Sequence, residues 1–112
     1  MSRTALFVID IQIDMAQDPK TEIPHARRIR EAGAEILNRA RSAIDNARTN
    51  NREPNLEIVI VQHEEKPADG PLVKGSEPWK LIFDPRQSDD AERVVSKSVR
   101  KLHHSPSLQL VS

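Results

Sequence analysis

Three polar residues follow an apolar run near the start of the chain and are candidates for chemistry. Residues 4–15 read "TALFVIDIQIDM", in which the apolar residues 5–9 lead directly into Asp10, with Gln12 and Asp14 close behind. Such a run is typical of a strand buried on both faces, and a carboxylate at its end is costly unless it is paired or put to use. Asp10 is therefore the first candidate for a functional residue, whereas Gln12 and Asp14 are expected to fix the turn after the strand by hydrogen bonds to its backbone.

Lys97 is the second candidate, because it ends another short apolar run, "AERVVSKS", at residues 91–98. In open parallel sheets, functional residues collect beyond the carboxyl ends of the strands. If the two strands share such an edge, an Asp10–Lys97 pair would keep both groups charged, and the carboxylate could act as a base toward a third group. The alternative is that Asp10 caps a turn and Lys97 is a solvated lysine, since polar residues are common at strand ends.

The elements that must position these residues follow from hydrophobic periodicity. Residues 5–10 and 56–62 are short, contiguous apolar runs that predict strands, and residues 91–98 predict a third. Between the first two strands, one apolar stripe at three- and four-residue spacing predicts a long amphipathic helix: Ile29, Gly33, Ile36, Leu37, Ala40, Ala43, Ile44 and Ala47. Strand, helix and strand form a βαβ unit with parallel pairing, and residues 63–90 are expected to be irregular.

Composition narrows the function classes. The chain has 112 residues, no cysteine, and 17 basic residues that balance 17 acidic ones. Because no net charge attracts nucleic acid or an anionic surface, we expect neither nucleic-acid nor membrane partners. No apolar run approaches the length of a membrane span or export signal, so a cytoplasmic location is expected. The absence of cysteine excludes disulfides, thiolate metal sites and a thiol nucleophile within this chain.

The first of these motifs resembles a known family signature. "ALFVIDIQIDM" is similar to the first-strand signature of the isochorismatase-like hydrolases, the cysteine hydrolase superfamily that includes nicotinamidases. That signature is an apolar strand followed by Asp-x-Gln-x-Asp and usually a Phe. Asp10, Gln12 and Asp14 match it, and Met15 stands at the position of the Phe.

Later segments agree with the family in their order. A long helix is followed by a second strand that ends in a His, "IVIVQH", and then by a Gly/Pro loop with a Trp, "GSEPW". The element "VVSKS" comes next, and its Lys97 matches the catalytic lysine of the family. The resemblance covers residues 4–100.

The resemblance implies a hydrolase that acts on an amide or a related C–N or ether bond of a small molecule. In this family an Asp takes the proton of a Cys that attacks the substrate carbonyl, and a Lys supports both groups. By position, Asp10 would be the base and Lys97 its partner, with no cofactor. The cysteine should follow a fourth strand beyond Lys97, and this chain contains none. Family members that act on isochorismate work without this cysteine. We assign no substrate-binding residues.

The resemblance also implies a fold: a three-layer α/β/α sandwich with a six-stranded parallel sheet, of which this chain would supply about the first half. We expect a partial hydrolase domain at residues 1–100 and an irregular tail outside the fold at residues 101–112. Such a chain would be truncated and inactive. The family places its first strand between the second and fourth, so the first strand would be an open edge here. The alternative function is a non-catalytic fragment or an interaction module that pairs through this edge. Self-association is common in the family, so a homo-oligomer is expected.

Two further clusters favour structural explanations. His63, Glu64 and Glu65 together suggest a metal site, but nicotinamidases use closely spaced His residues after the second strand and no second His follows here. We therefore expect no metal and interpret the two glutamates as solvated. The arginine-rich helix suggests RNA, but glutamates interrupt it and no aromatic platform accompanies it, which favours a solvated face.

Overall fold

One mixed four-stranded sheet and one long helix make up most of the α/β fold. The computed structural model describes residues 3–20, 23–86, 89–98 and 106–111. In chain order the elements are β1 (Thr4–Ile9), α1 (Ile13–Ala16), α2 (Ala26–Thr49), β2 (Leu56–His63), β3 (Glu92–Lys97) and β4 (Ser107–Val111). The spatial order of the strands is β3-β2-β1-β4.

The first three strands are parallel, as the sequence predicted. β1 pairs with β2 from Thr4↔Leu56 onward, and β2 pairs with β3 up to His63↔Lys97. The helix α2 connects β1 to β2 and completes the βαβ unit. Because all three strands run the same way, their carboxyl ends lie along one edge of the sheet, where Asp10 and Lys97 are found.

The expectation of an irregular tail is wrong for residues 107–111, which form β4 antiparallel to β1. Residues 101–105 and 112 lie outside the described residues. β1 is therefore an inner strand, and the expected open edge at β1 is also wrong. The physical reason is that residues 107–110, "SLQL", alternate polar and apolar side chains, and pairing gives the backbone groups along β1 hydrogen-bond partners. Leu108 and Leu110 lie opposite Val8 and Leu6.

The core lies between α2 and one face of the sheet. Leu6 and Val8 of β1 and Ile58 and Ile60 of β2 are at most 1% exposed. They form one cluster with the buried stripe of α2, whose members include Leu37, Ala40 and Ile44. Gly33, Leu37, Ala40 and Ile44 of the predicted stripe are buried, as expected, whereas the prediction is wrong for Ile36 and Ala43, which are exposed. The buried side of α2 fixes the sheet whose edge holds the candidate residues.

The loop after β2 returns along the turn that follows β1. Gln12 forms an antiparallel bridge with Leu81, and Ile13 N–H donates to the carbonyl of Lys80 at 2.9 Å. The ring of Phe83 then fills the notch that Gly33 leaves in α2, so close that an added Cβ would lie 2.7 Å from the ring. The loop is thus held from both sides, at the turn and at the helix.

Candidate functional site at the carboxyl ends of the strands

Asp10 ends β1 in a left-handed backbone conformation, with φ of 56°. Asp tolerates this region better than most residues because its short polar side chain interacts locally. Its N–H still donates to the carbonyl of Val61 at 2.9 Å, so the backbone leaves the sheet only after Asp10. The side chain is 1% exposed. A carboxylate is thus buried at the point where β1 ends.

Lys97 reaches this carboxylate from the end of β3. Its Nζ lies 3.2 Å from Oδ2 of Asp10, although β2 separates the two strands. Lys97 is the register partner of His63, so its side chain spans the end of β2 to reach Asp10. The structure therefore brings together the two residues that the sequence predicted would converge. Their catalytic role stays a prediction.

The two members of this pair differ in exposure, and the difference determines what the site can do. The Lys97 side chain is 34% exposed, whereas the Asp10 carboxylate is buried. The ammonium of Lys97, 3.2 Å from Oδ2, offsets part of the cost of burying this carboxylate. A group brought beside the pair would meet an anionic proton acceptor and a cation that stabilises negative charge.

Gln12 fixes the turn that carries Asp10. Its Nε2 donates to the carbonyl of His63 at 3.0 Å, and its Oε1 accepts from His63 N–H at 3.0 Å. The same Nε2 donates to the carbonyl of Trp79 at 2.6 Å. Gln12 is 1% exposed, so these bonds replace water that it cannot reach. Gln12 therefore positions the site through backbone contacts, and Asp14 is buried beside it at 7% exposure.

A cavity of about 330 Å³ lies beside this turn, lined by Ile13, Gln62, Trp79, Lys80, Leu81 and Asp84. Neither member of the Asp10–Lys97 pair lines it. The Gln62 amide donates to the carbonyl of Trp79 at 3.0 Å, so two glutamines converge on this one oxygen. Trp79 is half-buried and belongs to the loop that closes the turn.

In the cluster of His63, Glu64 and Glu65, Glu65 has a structural role. His63 is 1% exposed, and Glu64 and Glu65 are both half-buried, so the expectation that the two glutamates are solvated is wrong. Glu65 Oε1 accepts from the N–H of Leu72 at 3.1 Å, and Glu65 N–H donates to the carbonyl of Leu72 at 2.7 Å. Among the described residues, no group of three or more His, Asp or Glu side chains is arranged to hold a metal ion.

The sequence did not reveal an ion-pair network that holds the start of β3 against α2. Arg41 donates from Nε and Nη2 to the two oxygens of Glu92 at 2.7 and 2.8 Å, and the Glu92 side chain is 1% exposed. Arg48 makes a similar pair with Asp89. The interpretation of the helix arginines as solvated is thus wrong for Arg41. The sequence feature that could have revealed this network is Glu92, an acidic residue at the start of an apolar strand.

This network shifts the pKa of several of its members. Hydrogen bonds from Arg48, and then from the N–H of Ala91, lower the pKa of Asp89 to about 2. A hydrogen bond from Arg86 lowers the pKa of Asp45, and the pKa of Arg48 and of Arg86 is raised by their carboxylate partners. All four groups therefore keep their charge at neutral pH and hold the segment before β3 on the helix.

Neither a family model, nor a curated protein, nor a solved structure matches this chain. Within the described ranges, no helix has the length and apolar character that crossing a membrane requires.

Proposed function

We propose that this chain carries the Asp and Lys of an isochorismatase-like hydrolase, with Asp10 as the base and Lys97 as its charge partner. The observation that supports the proposal is the 3.2 Å ion pair between a buried carboxylate and a lysine from the strand two positions away. The first-strand signature and the order of the later segments add to it.

The proposed chemistry needs a nucleophile beside this pair. Asp10 would take the proton of a thiol, whose sulfur attacks the carbonyl carbon of a small amide and forms an acyl-enzyme. Asp10 would then return the proton to the leaving amine, and water would release the acid. Lys97 would stabilise the thiolate and the carboxylate. The chain has no cysteine, so we predict no amidase turnover by the chain alone.

We propose a three-layer sandwich in which a second helical layer covers the sheet face opposite α2. The support is that Val95 and Val111, on that opposite face, are 38% and 48% exposed. Valine side chains on a sheet face are ordinarily packed against another layer.

A cysteine placed at Ser107 tests whether the pair can act on a thiol. Ser107 opens β4 and is the register partner of Ile9, directly before Asp10. The native chain has no cysteine, so the alkylation rate against pH reports the pKa of this single thiol. We expect Lys97→Met to raise that pKa and Asp10→Asn to lower it, each by about half a pH unit or more.

The matched control is Val111→Cys at the other end of the same strand, where neither substitution should move the thiol pKa. Opposite shifts at Ser107→Cys and none at Val111→Cys support the proposal, since loss of a merely structural role would not give shifts of opposite sign. If neither Lys97→Met nor Asp10→Asn changes the pKa of the thiol in Ser107→Cys, the proposal that this pair acts on a thiol is contradicted. Turnover of an amide by the cysteine-free chain that is lost on Asp10→Asn would show that no thiol is needed.

A further inference from the structure

The two outer strands of the sheet differ in how they are protected. β3 begins with Glu92 and Arg93 and ends with Lys97, and charged residues on an edge strand oppose pairing with another chain. β4 reads "SLQLV" and contains no charged residue. In the part of the chain that the structure describes, no strand lies on its outer side. β4 is therefore an edge without the usual protection.

The side chains of β4 are also incompletely covered. Leu110 is 70% exposed and Val111 is 48% exposed, the two highest values among the large hydrophobic residues that the structure describes. Leu110 adjoins an apolar groove of about 330 Å³ between the sheet and α2, together with Leu6, Ile36, Ala40, Ala43 and Leu56. Ile36 of this groove is 37% exposed. An apolar edge beside an apolar groove marks an interaction surface.

The sequence of β4 is complementary to itself in the antiparallel direction. When two copies pair about Gln109, Leu108 of one copy lies opposite Leu110 of the other, and the reverse pair forms on the same face. Leu108 and Leu110 both lie on the face that carries α2, as their partners Val8 and Leu6 show. Four leucines would then form one cluster beside the grooves of the two copies. Cross-strand apolar pairs of this kind stabilise antiparallel sheets.

We propose that two copies of this chain associate through β4, antiparallel about Gln109, into one continuous eight-stranded sheet. We favour a second copy over another partner because the strand is complementary to itself. A twofold axis at Gln109 places Leu108 of each copy opposite Leu110 of the other. The same patch is then used on both copies, which closes the assembly at a dimer. This inference does not depend on the proposed hydrolase function.

Cross-linking of the full chain tests the register directly. Residues opposite each other on antiparallel strands have Cα atoms about 4.5–5.5 Å apart, which suits a disulfide. Under mild oxidation Gln109→Cys should form a covalent dimer in high yield. Val95→Cys, on the other outer strand and also exposed, should not. Equal yields at both positions would indicate random collision and overturn the proposal.

Charge substitution at the same residue tests the twofold axis without cross-linking. The unaltered chain should sediment as a dimer, and Gln109→Lys and Gln109→Glu should each weaken the dimer about tenfold or more, because like charges then face each other. An equimolar mixture of the two variants should restore the dimer. Gln109 is exposed, so both variants should keep the far-UV circular dichroism of the parent.

A monomeric unaltered chain, or dimers that survive both charge variants, would contradict the proposal. Open-ended oligomers would contradict it as well, because they require two different surfaces. Loss of the dimer in Val95→Lys with retention in Gln109→Lys would assign the contact to β3 instead.

Discussion

The side-chain amide of Gln12 pairs with both backbone groups of His63, with its Nε2 donating to the carbonyl and its Oε1 accepting from the N–H, each at 3.0 Å. The amide thus takes the place of a neighbouring strand where β2 ends. It ties the turn after β1 to the end of the strand that Lys97 must cross. The position of the Asp10 carboxylate depends on this link.

Gln12→Ala should lower the free energy of unfolding by about 2–4 kcal/mol, because it leaves the N–H and carbonyl of His63 without this partner in a buried place. Urea denaturation monitored by the fluorescence of Trp79 measures the change. The exposed Gln17→Ala is the control and should change stability by less than about 0.5 kcal/mol. Equal effects of the two substitutions would mean that the amide does not hold the turn.

Arg41→Ala should be far more damaging than Arg39→Ala on the same helix. Arg41 donates to both oxygens of Glu92, whose side chain is 1% exposed, so its removal leaves this buried charge to the more distant guanidinium of Arg86, at 3.7 Å, and should cost about 3 kcal/mol. Arg39 pairs with Glu35, but both side chains are more than half exposed, and its removal should cost less than about 0.5 kcal/mol. Thermal unfolding of the two variants compares them. Similar losses would contradict a buried Arg41–Glu92 pair.

Gly33→Ala should destabilise the protein although alanine favours helices. A Cβ at this position would lie 2.7 Å from the Phe83 ring, which must then shift. We expect a loss of about 1–2 kcal/mol. In a Phe83→Leu background the same substitution should be neutral or stabilising by up to about 1 kcal/mol, since helix propensity then dominates. A loss of equal size in both backgrounds would show that the ring does not fill the notch.

Acid should weaken the attachment of β3 through Asp89. Its pKa of about 2 in the folded chain lies below the ordinary carboxyl value of 3.8, so its ion pair stabilises the fold fully above about pH 4. That stability is lost as pH falls from about 4 through 2. Because Arg48 is 37% exposed, the contribution should be below about 1 kcal/mol.

The measurement for Asp89 is the difference in unfolding free energy between the parent chain and Asp89→Asn, followed from neutral pH to pH 2. The difference should be constant above about pH 4 and should shrink below it. Arg48→Ala should abolish the same pH-dependent part, because Arg48 is the main cause of the lowered pKa. A difference that does not change with pH would contradict the ion pair.

Hydrophobic periodicity predicted the parts of the fold that bury apolar surface. The three parallel strands and α2 each carry a period or an apolar run that only one kind of element satisfies. β4 was missed because five residues with two leucines give a weak signal, and their pairing with β1 depends on a contact between distant segments. The same reason led to the wrong expectation that β1 is an open edge.

Of the candidate site, the sequence predicted which charges meet but not which backbone groups hold the turn that carries Asp10. Asp10 and Lys97 end their strands, so parallel pairing within one sheet places both residues at the same edge. The bonds of Gln12 to His63 depend on the path of the turn, and the pairing of Arg41 with Glu92 depends on how α2 crosses β3. Neither the path of the turn nor the crossing of α2 over β3 can be predicted from a local pattern of residue types.

Asp10 and Lys97 form a charge pair at the ends of β1 and β3, and a double-mutant cycle measures how strongly the two groups are coupled. Unfolding free energies of the parent chain, Asp10→Asn, Lys97→Met and the double variant at neutral pH give the coupling energy, which we expect to be about 2 kcal/mol. The pair of Arg93 and Glu57, 3.9 Å apart with side chains 63% and 33% exposed, gives the matched cycle, with a coupling below about 0.5 kcal/mol. An Asp10–Lys97 coupling no larger than that of Arg93 and Glu57 would contradict a coupled charge pair at the ends of β1 and β3.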